Sequence, residues 1–169
     1  WKETGIDPVE MYAGGSDGEE ATEEERMAAA IFPEYQRVLR TSKKLDFGDL
    51  ILSAVQLLRS EEAILMRMRE DLGYVMVDEF QDMSPMQYEL MRLIVTGQSY
   101  PGPPPDAAPG EKMGGGAHAH SHHRPKVVRL FCAGDDDQSV YGWRGVNAVQ
   151  NIRSFTQDMP GATVLYLDT

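Results

Sequence analysis

The chain has 169 residues and a formal net charge of −11 at pH 7, because 27 Asp and Glu outnumber 16 Lys and Arg. An acidic surface repels phosphate backbones, so the composition argues against strong autonomous binding to nucleic acid and allows only local DNA contacts. No apolar run approaches the roughly 20 residues that span a bilayer, which argues against a membrane protein, and the single cysteine excludes an internal disulfide.

The first predicted element is an amphipathic helix that follows an acidic run at residues 17–25. Its apolar residues recur near helical spacing: Met27, Ile31, Tyr35, Val38 and Leu39. Pro33 either kinks this helix or marks its start. A second helix is predicted after Asp46, whose side chain is a good N-cap, and a third from Glu61 to Asp71.

Three apolar runs predict strands: YVMV at residues 74–77, VVRLFCA at 127–133 and ATVLYL at 162–167. The first two are typical of strands buried on both faces of a parallel sheet. Helical patterns separate the runs, so the order of elements is strand, helix, strand, helix, strand. This alternation predicts an α/β fold class with a parallel sheet.

The segments between the predicted strands differ in character. Ser84 and Pro85 predict an N-cap and first-turn proline for a helix over residues 86–95. Residues 97–126 are rich in Pro, Gly, Ala and His, have no apolar periodicity and are expected to form a disordered surface insert. Another helix is expected to open near Asn147.

Two adjacent carboxylates, Asp78 and Glu79, follow the first predicted strand, and the loop GDDDQ at 134–138 follows the second. In an open parallel sheet, ligands bind at the carboxyl ends of the strands, so both loops are expected at one edge. One carboxylate can hold the Mg²⁺ that bridges nucleotide phosphates, while the other positions and deprotonates the attacking water. For the dipeptide alone, simple capping of the next helix is an equally good interpretation.

The motifs around these acids favour the catalytic interpretation. VDEFQD at 77–82 and AGDDDQSVYGWRG at 133–145, with LDFGDLI upstream and PGATVLYL downstream, resemble the UvrD/Rep/PcrA family of superfamily 1 DNA helicases. In that family the first motif is the Walker B element of an ATP site. The resemblance implies that Asp78 coordinates Mg²⁺ and that Glu79 is the catalytic base that hydrolyses ATP.

The second motif carries the remaining predicted site residues. The resemblance implies that Gln138 senses the ATP γ-phosphate, that Tyr141 and Trp143 face single-stranded DNA, and that Arg144 links the nucleotide and DNA sides. Stacking of an indole on a base tolerates any sequence, which suits a motor that moves along DNA. Gln81 and Asp82 are interpreted as hydrogen-bonding residues within the first motif.

The resemblance also implies a domain organisation. Residues 1–44 would be the end of the helical subdomain 1B, and residues 45–169 the later part of the first RecA-like domain, of the P-loop NTPase type, with the insert at 97–126. The P-loop motif itself, G-x-x-x-x-G-K-[ST], does not occur in the 169 residues, and Trp1 suggests a start inside a longer chain. The chain alone is therefore expected to be inactive and marginally stable, and to need the missing P-loop segment and second RecA-like domain as partners.

Several alternatives stay open at this stage. The chain departs from the family pattern at Gly48 and Met83, neither in a predicted catalytic role. The four histidines lie in the insert, where low complexity without function is favoured over a metal site: His118, His120, His122 and His123. Cys132 is interpreted as a buried small hydrophobe. Besides a DNA helicase in repair or recombination, the chain fits a non-enzymatic interaction module or the motor of a helicase-nuclease, and an intracellular location is expected, nuclear if eukaryotic and otherwise cytoplasmic.

Overall fold

The computed structural model describes residues 2–5, 22–98, 127–139 and 155–167. Within these ranges the helices are α1 (Glu23–Thr41), α2 (Phe47–Ser60), α3 (Glu62–Asp71) and α4 (Pro85–Thr96), and the strands are β1 (Tyr74–Val77) and β2 (Arg129–Cys132). Residues 155–158 are also helical. Short 3-10 turns follow the two strands at Phe80–Asp82 and Asp136–Gln138.

The starts of α2 and α4 are fixed by capping boxes that the sequence predicted in part. Asp46 accepts a hydrogen bond from the backbone of Asp49, whose side chain accepts one from the Asp46 backbone. Ser84 and Gln87 make the same reciprocal pair ahead of α4, with Pro85 in the first turn. Each pair satisfies backbone N–H groups that the helix itself leaves without partners.

The core of the described residues lies among α2, α3 and α4. Its buried side chains are Val55, Leu58, Leu65 and Leu93, and the half-buried side chains packed against them are Ile51, Met86, Leu90 and Ile94. An ion pair between Arg59 and the buried Glu89, 2.7 Å from Nη2 to Oε1, joins α2 to α4 beside this core. The core is therefore built from these three helices, and it includes no described side chain of α1.

Helix α1 begins at Glu23 and continues through Pro33, so the alternative in which Pro33 marks the start of the helix is wrong. Its apolar residues share a face as predicted, but Met27 and Ile31 are both more than half exposed. Lys2 links α1 to α2, because its ammonium lies 2.6 Å from Asp46 Oδ2 and 5.1 Å from the centre of the Tyr35 ring. Burial opposes ionisation of Asp46, but hydrogen bonds from Lys2, the Asp49 backbone and Tyr35 outweigh it and lower the pKa of Asp46 to about 2.

The two strands pair in parallel, with Tyr74 opposite Arg129 and Val77 opposite Cys132. Helices together with a parallel sheet confirm the α/β class. The expectation that both faces of the strands are buried is wrong for the described residues, since Tyr74 is 65% exposed and Met76 77% exposed. Side chains alternate between the faces of a strand, and the described elements cover one face only.

On that covered face, burial raises the pKa of the Cys132 thiol to about 11, so the thiol stays protonated at neutral pH, in keeping with a structural role.

The third predicted strand is wrong: residues 162–167 are not assigned to a strand, and Leu167 is 96% exposed. A strand needs a neighbour for its backbone hydrogen bonds, and no described segment pairs with these residues. The predicted opening of the preceding helix near Asn147 lies outside the described residues, as does most of the predicted insert. Among the described helices, none has the length and apolar composition that crossing a membrane requires.

Candidate active site

The candidate site lies at the carboxyl edge of the sheet, where both strands end. Because Val77 pairs with Cys132 in a parallel register, Asp78 and Ala133 leave the sheet side by side. Two backbone hydrogen bonds extend the pairing beyond the strands: Ala133 N donates to Val77 O at 2.8 Å, and Phe80 N donates to Ala133 O at 2.9 Å. The two polar loops therefore meet, as the sequence predicted.

The loop after β1 turns sharply at Glu79, which has a left-handed backbone with φ 51° and ψ 45°. This conformation costs a residue with a Cβ atom roughly 1–2 kcal/mol. The turn is held by Glu79 N, which donates to Asp78 Oδ1 at 3.0 Å, and by Asp82 N, which donates to Glu79 O at 2.8 Å. Both acidic side chains are exposed, so a ligand at the edge of the sheet can reach their carboxylates.

Gln81 lies between the two loops and is almost completely buried, with 1% of its surface exposed. Its carboxamide Nε2 donates to Glu79 Oε2 at 2.7 Å, and its Oε1 accepts a hydrogen bond from Asp135 N at 3.0 Å. One side chain thus contacts an acid of the first loop and the backbone of the second. The sequence indicated that Gln81 makes hydrogen bonds but not that it joins the loops.

The loop after β2 is organised by the Asp135 carboxylate. Its Oδ1 accepts a hydrogen bond from Asp137 N at 3.1 Å, and its Oδ2 accepts one from Gln138 Nε2 at 2.6 Å. The bond to Asp135 orients the Gln138 side chain. Gln138 is nevertheless exposed, so its side chain stays at the surface of the site. The sequence predicted Asp135 only as part of the acidic loop; its position three residues after β2, followed by further polar residues, is the signal that identifies it.

Two neighbours of these residues fix the loops to the rest of the structure. Phe80 is buried, and its ring makes edge-to-face contacts with Tyr88 and Phe155 at centroid distances of 6.0 and 5.3 Å. Gly134 lies against the first loop so closely that an added Cβ atom would be 2.8 Å from Gln81 Oε1. A methyl group at this position would therefore displace the Gln81 carboxamide, whereas glycine leaves room for it.

The donor atoms of the site suit Mg²⁺ bound together with a nucleotide. Asp78 and Glu79 present carboxylate oxygens, the hard donors that Mg²⁺ prefers. In the part of the chain that the structure describes, no group of three or more His, Cys, Asp and Glu side chains forms a metal cage. Mg²⁺ does not require one, since it usually takes one or two carboxylates and completes its shell with phosphates and water.

The predicted site residues fall into two groups. Asp78, Glu79 and Gln138 lie in the two adjoining loops, within the hydrogen-bonded set that Gln81 and Asp135 connect. The predicted DNA-facing and linking residues lie outside the described residues: Tyr141, Trp143 and Arg144.

Comparison with known proteins identifies the family. Residues 1–160 match the UvrD/REP helicase N-terminal domain family. Because this match covers most of the chain, the chain belongs to the UvrD/REP helicase family.

Individual relatives agree with this assignment. The chain is 33% identical over 168 residues to DNA helicase II of Rickettsia typhi and 31% identical over 168 residues to a probable DNA helicase II homolog of Rickettsia felis. Each alignment covers 99% of this chain and 20% of the relative. The chain is also 32% identical over 143 residues to the ATP-dependent DNA helicase PcrA of Staphylococcus aureus, which covers 85% of this chain and 16% of PcrA. The chain thus spans about a fifth of the length of the curated relatives it matches.

Proposed function

We propose that this chain supplies the Walker B part of an ATP-dependent DNA helicase, which couples hydrolysis of Mg·ATP to movement on single-stranded DNA in repair or recombination. The observation that carries the proposal is the meeting of two loops: the acids after β1 and the acidic loop after β2 adjoin at one edge of a parallel sheet. Family membership and relatives named as DNA helicases support it.

In this proposal the two acids have separate roles. Asp78 binds the Mg²⁺, which neutralises charge on the phosphates when it is bound. Glu79 accepts the proton of the attacking water. Its exposed carboxylate can reach a water molecule above the sheet edge, and the hydrogen bond from Gln81 fixes one of its oxygens. A base must be held within hydrogen-bonding reach of the proton that it removes, and the bond supplies this constraint.

Gln138 connects the nucleotide to DNA in the same proposal. Its carboxamide is held by Asp135 at the edge of the site, where it would contact the γ-phosphate. Tyr141 and Trp143, only a few residues further along, would face single-stranded DNA, with Trp143 stacked on a base, and Arg144 would join the two sides. A shift at the phosphate then reaches the stacking ring through one short segment.

The proposed helicase is intracellular and contains more segments than the 169 residues of this chain. Residues 1–44 form the end of helical subdomain 1B, and residues 45–169 form part of the first RecA-like domain. Because a P-loop motif is absent from the 169 residues, the phosphate cradle comes from another segment, and the second RecA-like domain is needed for movement. The isolated chain is expected not to hydrolyse ATP.

Mg²⁺-dependent ATPase measurements test this proposal. They compare the 169-residue chain with an extended helicase, meaning a polypeptide that joins these residues to the P-loop segment and second RecA-like domain. We expect no turnover by the chain alone, and turnover by the extended helicase that rises when single-stranded DNA is added. DNA-stimulated turnover by the chain alone would refute the need for a separate phosphate cradle. An extended helicase without turnover would refute the assignment of the acids to ATP hydrolysis.

A further inference from the structure

Gln81 has almost no exposed surface with which to bind a ligand directly, since 99% of it is buried beneath the two loops of the site. Both ends of its carboxamide are occupied, with Nε2 on Glu79 and Oε1 on Asp135 N. A buried polar side chain is costly unless its hydrogen bonds are made, and here both partners belong to the candidate site. The side chain is therefore placed to control the relative position of the loops.

The hydrogen bonds continue beyond Gln81 to the predicted phosphate sensor. Asp135, whose backbone N–H is bound by Gln81, accepts a hydrogen bond from Gln138 Nε2 on its own carboxylate at 2.6 Å. The path from the Glu79 carboxylate to the Gln138 carboxamide thus consists of two side chains and one residue of backbone. A displacement of Gln138 would be transmitted to Asp135 and from there to Gln81.

Glu79 needs such support because its own surroundings hold it weakly. It lies on a left-handed turn and its side chain is exposed, so its several rotatable bonds would otherwise leave the carboxylate free to move. The bond from Gln81, at 2.7 Å to a carboxylate oxygen, is of the short, charge-assisted kind. This bond selects one orientation of the carboxylate at the sheet edge.

We propose that Gln81 is the positioning residue of this site: its buried carboxamide holds the catalytic carboxylate of Glu79 and ties it to the loop that carries Gln138. The inference rests on the proposed function, in which Glu79 is the base. It assigns Gln81 no contact with ATP, Mg²⁺ or DNA. Because Gly134 lies close to Gln81 Oε1, a side chain added at Gly134 supplies a second, independent way to displace the Gln81 carboxamide.

The test uses steady-state ATPase kinetics of the extended helicase with saturating single-stranded DNA. Gln81→Met and Gln81→Leu both remove the two hydrogen bonds, and both keep an uncharged side chain of similar size at the buried position. Gly134→Ala leaves Gln81 in place but forces its carboxamide away, because the new Cβ would lie 2.8 Å from Oε1. Misplacement of a reacting group by about 1 Å can cost about 100-fold in rate, so we expect each variant to lower kcat about 10- to 100-fold.

Two control variants match these changes outside the site. Gln56→Met makes the same substitution at an exposed position of α2, and Gly73→Ala adds a methyl group where no atom lies within 4 Å. Both should keep the wild-type kcat. The variant with both Gln81→Met and Gly134→Ala should be no slower than the slower single variant. Gln81→Met already removes the two hydrogen bonds that Gly134→Ala would disturb, so the second change has nothing further to break.

The Michaelis constant for ATP separates positioning from structural damage. If Gln81 positions the base, kcat falls while KM for ATP and the unfolding temperature stay near the wild-type values in Gln81→Met, which buries no new charge. An unchanged kcat in both Gln81 variants would overturn the inference. A loss of kcat accompanied by a comparable rise in KM for ATP, or by a drop in unfolding temperature, would overturn it as well. A wild-type extended helicase without turnover would instead refute the proposed function, and the inference with it; the wild-type measurement tells the two failures apart.

Discussion

Replacement of Glu79 by Gln gives the most direct test of the proposed base, because the structure shows how little else the change disturbs. Glutamine has the same length and shape as glutamate, and its carbonyl oxygen can still accept the hydrogen bond from Gln81 Nε2. The left-handed turn is unaffected, since the Cβ atom is retained. Only the negative charge and the ability to accept a proton are lost.

The expected magnitudes for stability and activity differ widely. A hydrogen bond to a charged group contributes about 1.5–3 kcal/mol and a neutral one about 0.5–1.5 kcal/mol, so the weaker bond in Glu79→Gln should cost about 1–1.5 kcal/mol of stability. Loss of charge beside Asp78 also relieves repulsion between two exposed acids, which offsets part of this cost. Loss of a general base, in contrast, lowers turnover by about 100- to 10,000-fold, which corresponds to about 3–5 kcal/mol in the activation free energy.

Two measurements on the extended helicase separate these effects. Single-turnover hydrolysis of Mg·ATP should be nearly abolished in Glu79→Gln, while equilibrium binding of a fluorescent ATP analogue and the urea midpoint stay close to wild type. The variant Glu62→Gln, with the same change in the first turn of α3, serves as the control and should retain full turnover. Hydrolysis by Glu79→Gln within about threefold of wild type would be far smaller than the loss expected for a base and would refute the assignment.

Three further predictions concern DNA coupling and stability. Trp143→Ala in the extended helicase should lower DNA-stimulated ATPase more than basal ATPase, because a base loses its stacking partner; equal loss of both would contradict that role. Lys43→Gly should raise the free energy of unfolding of the chain by about 0.5–1 kcal/mol in urea titrations, since Lys43 has φ 52° just after α1; no gain would show that this turn is not strained. Lys2→Met should cost about 1 kcal/mol at pH 6 after solvent screening, and the difference from wild type should vanish as the pH falls from about 4 to about 2. The sign follows from the lowered pKa of Asp46, whose charge stabilises the fold above its unfolded value near 3.8 and is lost below about 2; a difference that persists at pH 2 would contradict it.

Local signals in the sequence were sufficient for the helices and for the edge at which the site forms. Asp46 and Ser84 start helices because their side chains bind backbone N–H groups within three residues, and such interactions depend on nearby sequence alone. The same holds for the acids that follow β1, since a short apolar run ending in polar residues indicates a strand end. Parallel pairing then brings the second loop beside the first.

Features that depend on distant neighbours were predicted less well. The sequence of β1 indicated burial on both faces, but whether Tyr74 and Met76 are covered depends on which other elements pack there, and the described elements leave that face exposed. Residues 162–167 have the composition of a strand without a described partner to bind. An apolar run establishes what a segment can bury, whereas its burial depends on the rest of the fold.

Among the described residues other than glycine, Lys43 and Glu79 have a left-handed backbone, and the two differ in what their side chains do. Lys43 follows α1 at a position where a glycine would adopt the same backbone more easily, and its conformation accompanies the end of the helix. At Glu79 a glycine would relieve the same strain but would remove the carboxylate that Gln81 holds at 2.7 Å. Glu79 therefore keeps a strained backbone that glycine would relieve, and a buried partner fixes its side chain. This combination is the pattern expected of a functional residue. That pattern depends on Gln81 and on the proximity of Asp135 across the sheet edge, and it therefore becomes visible only when the two loops are brought together.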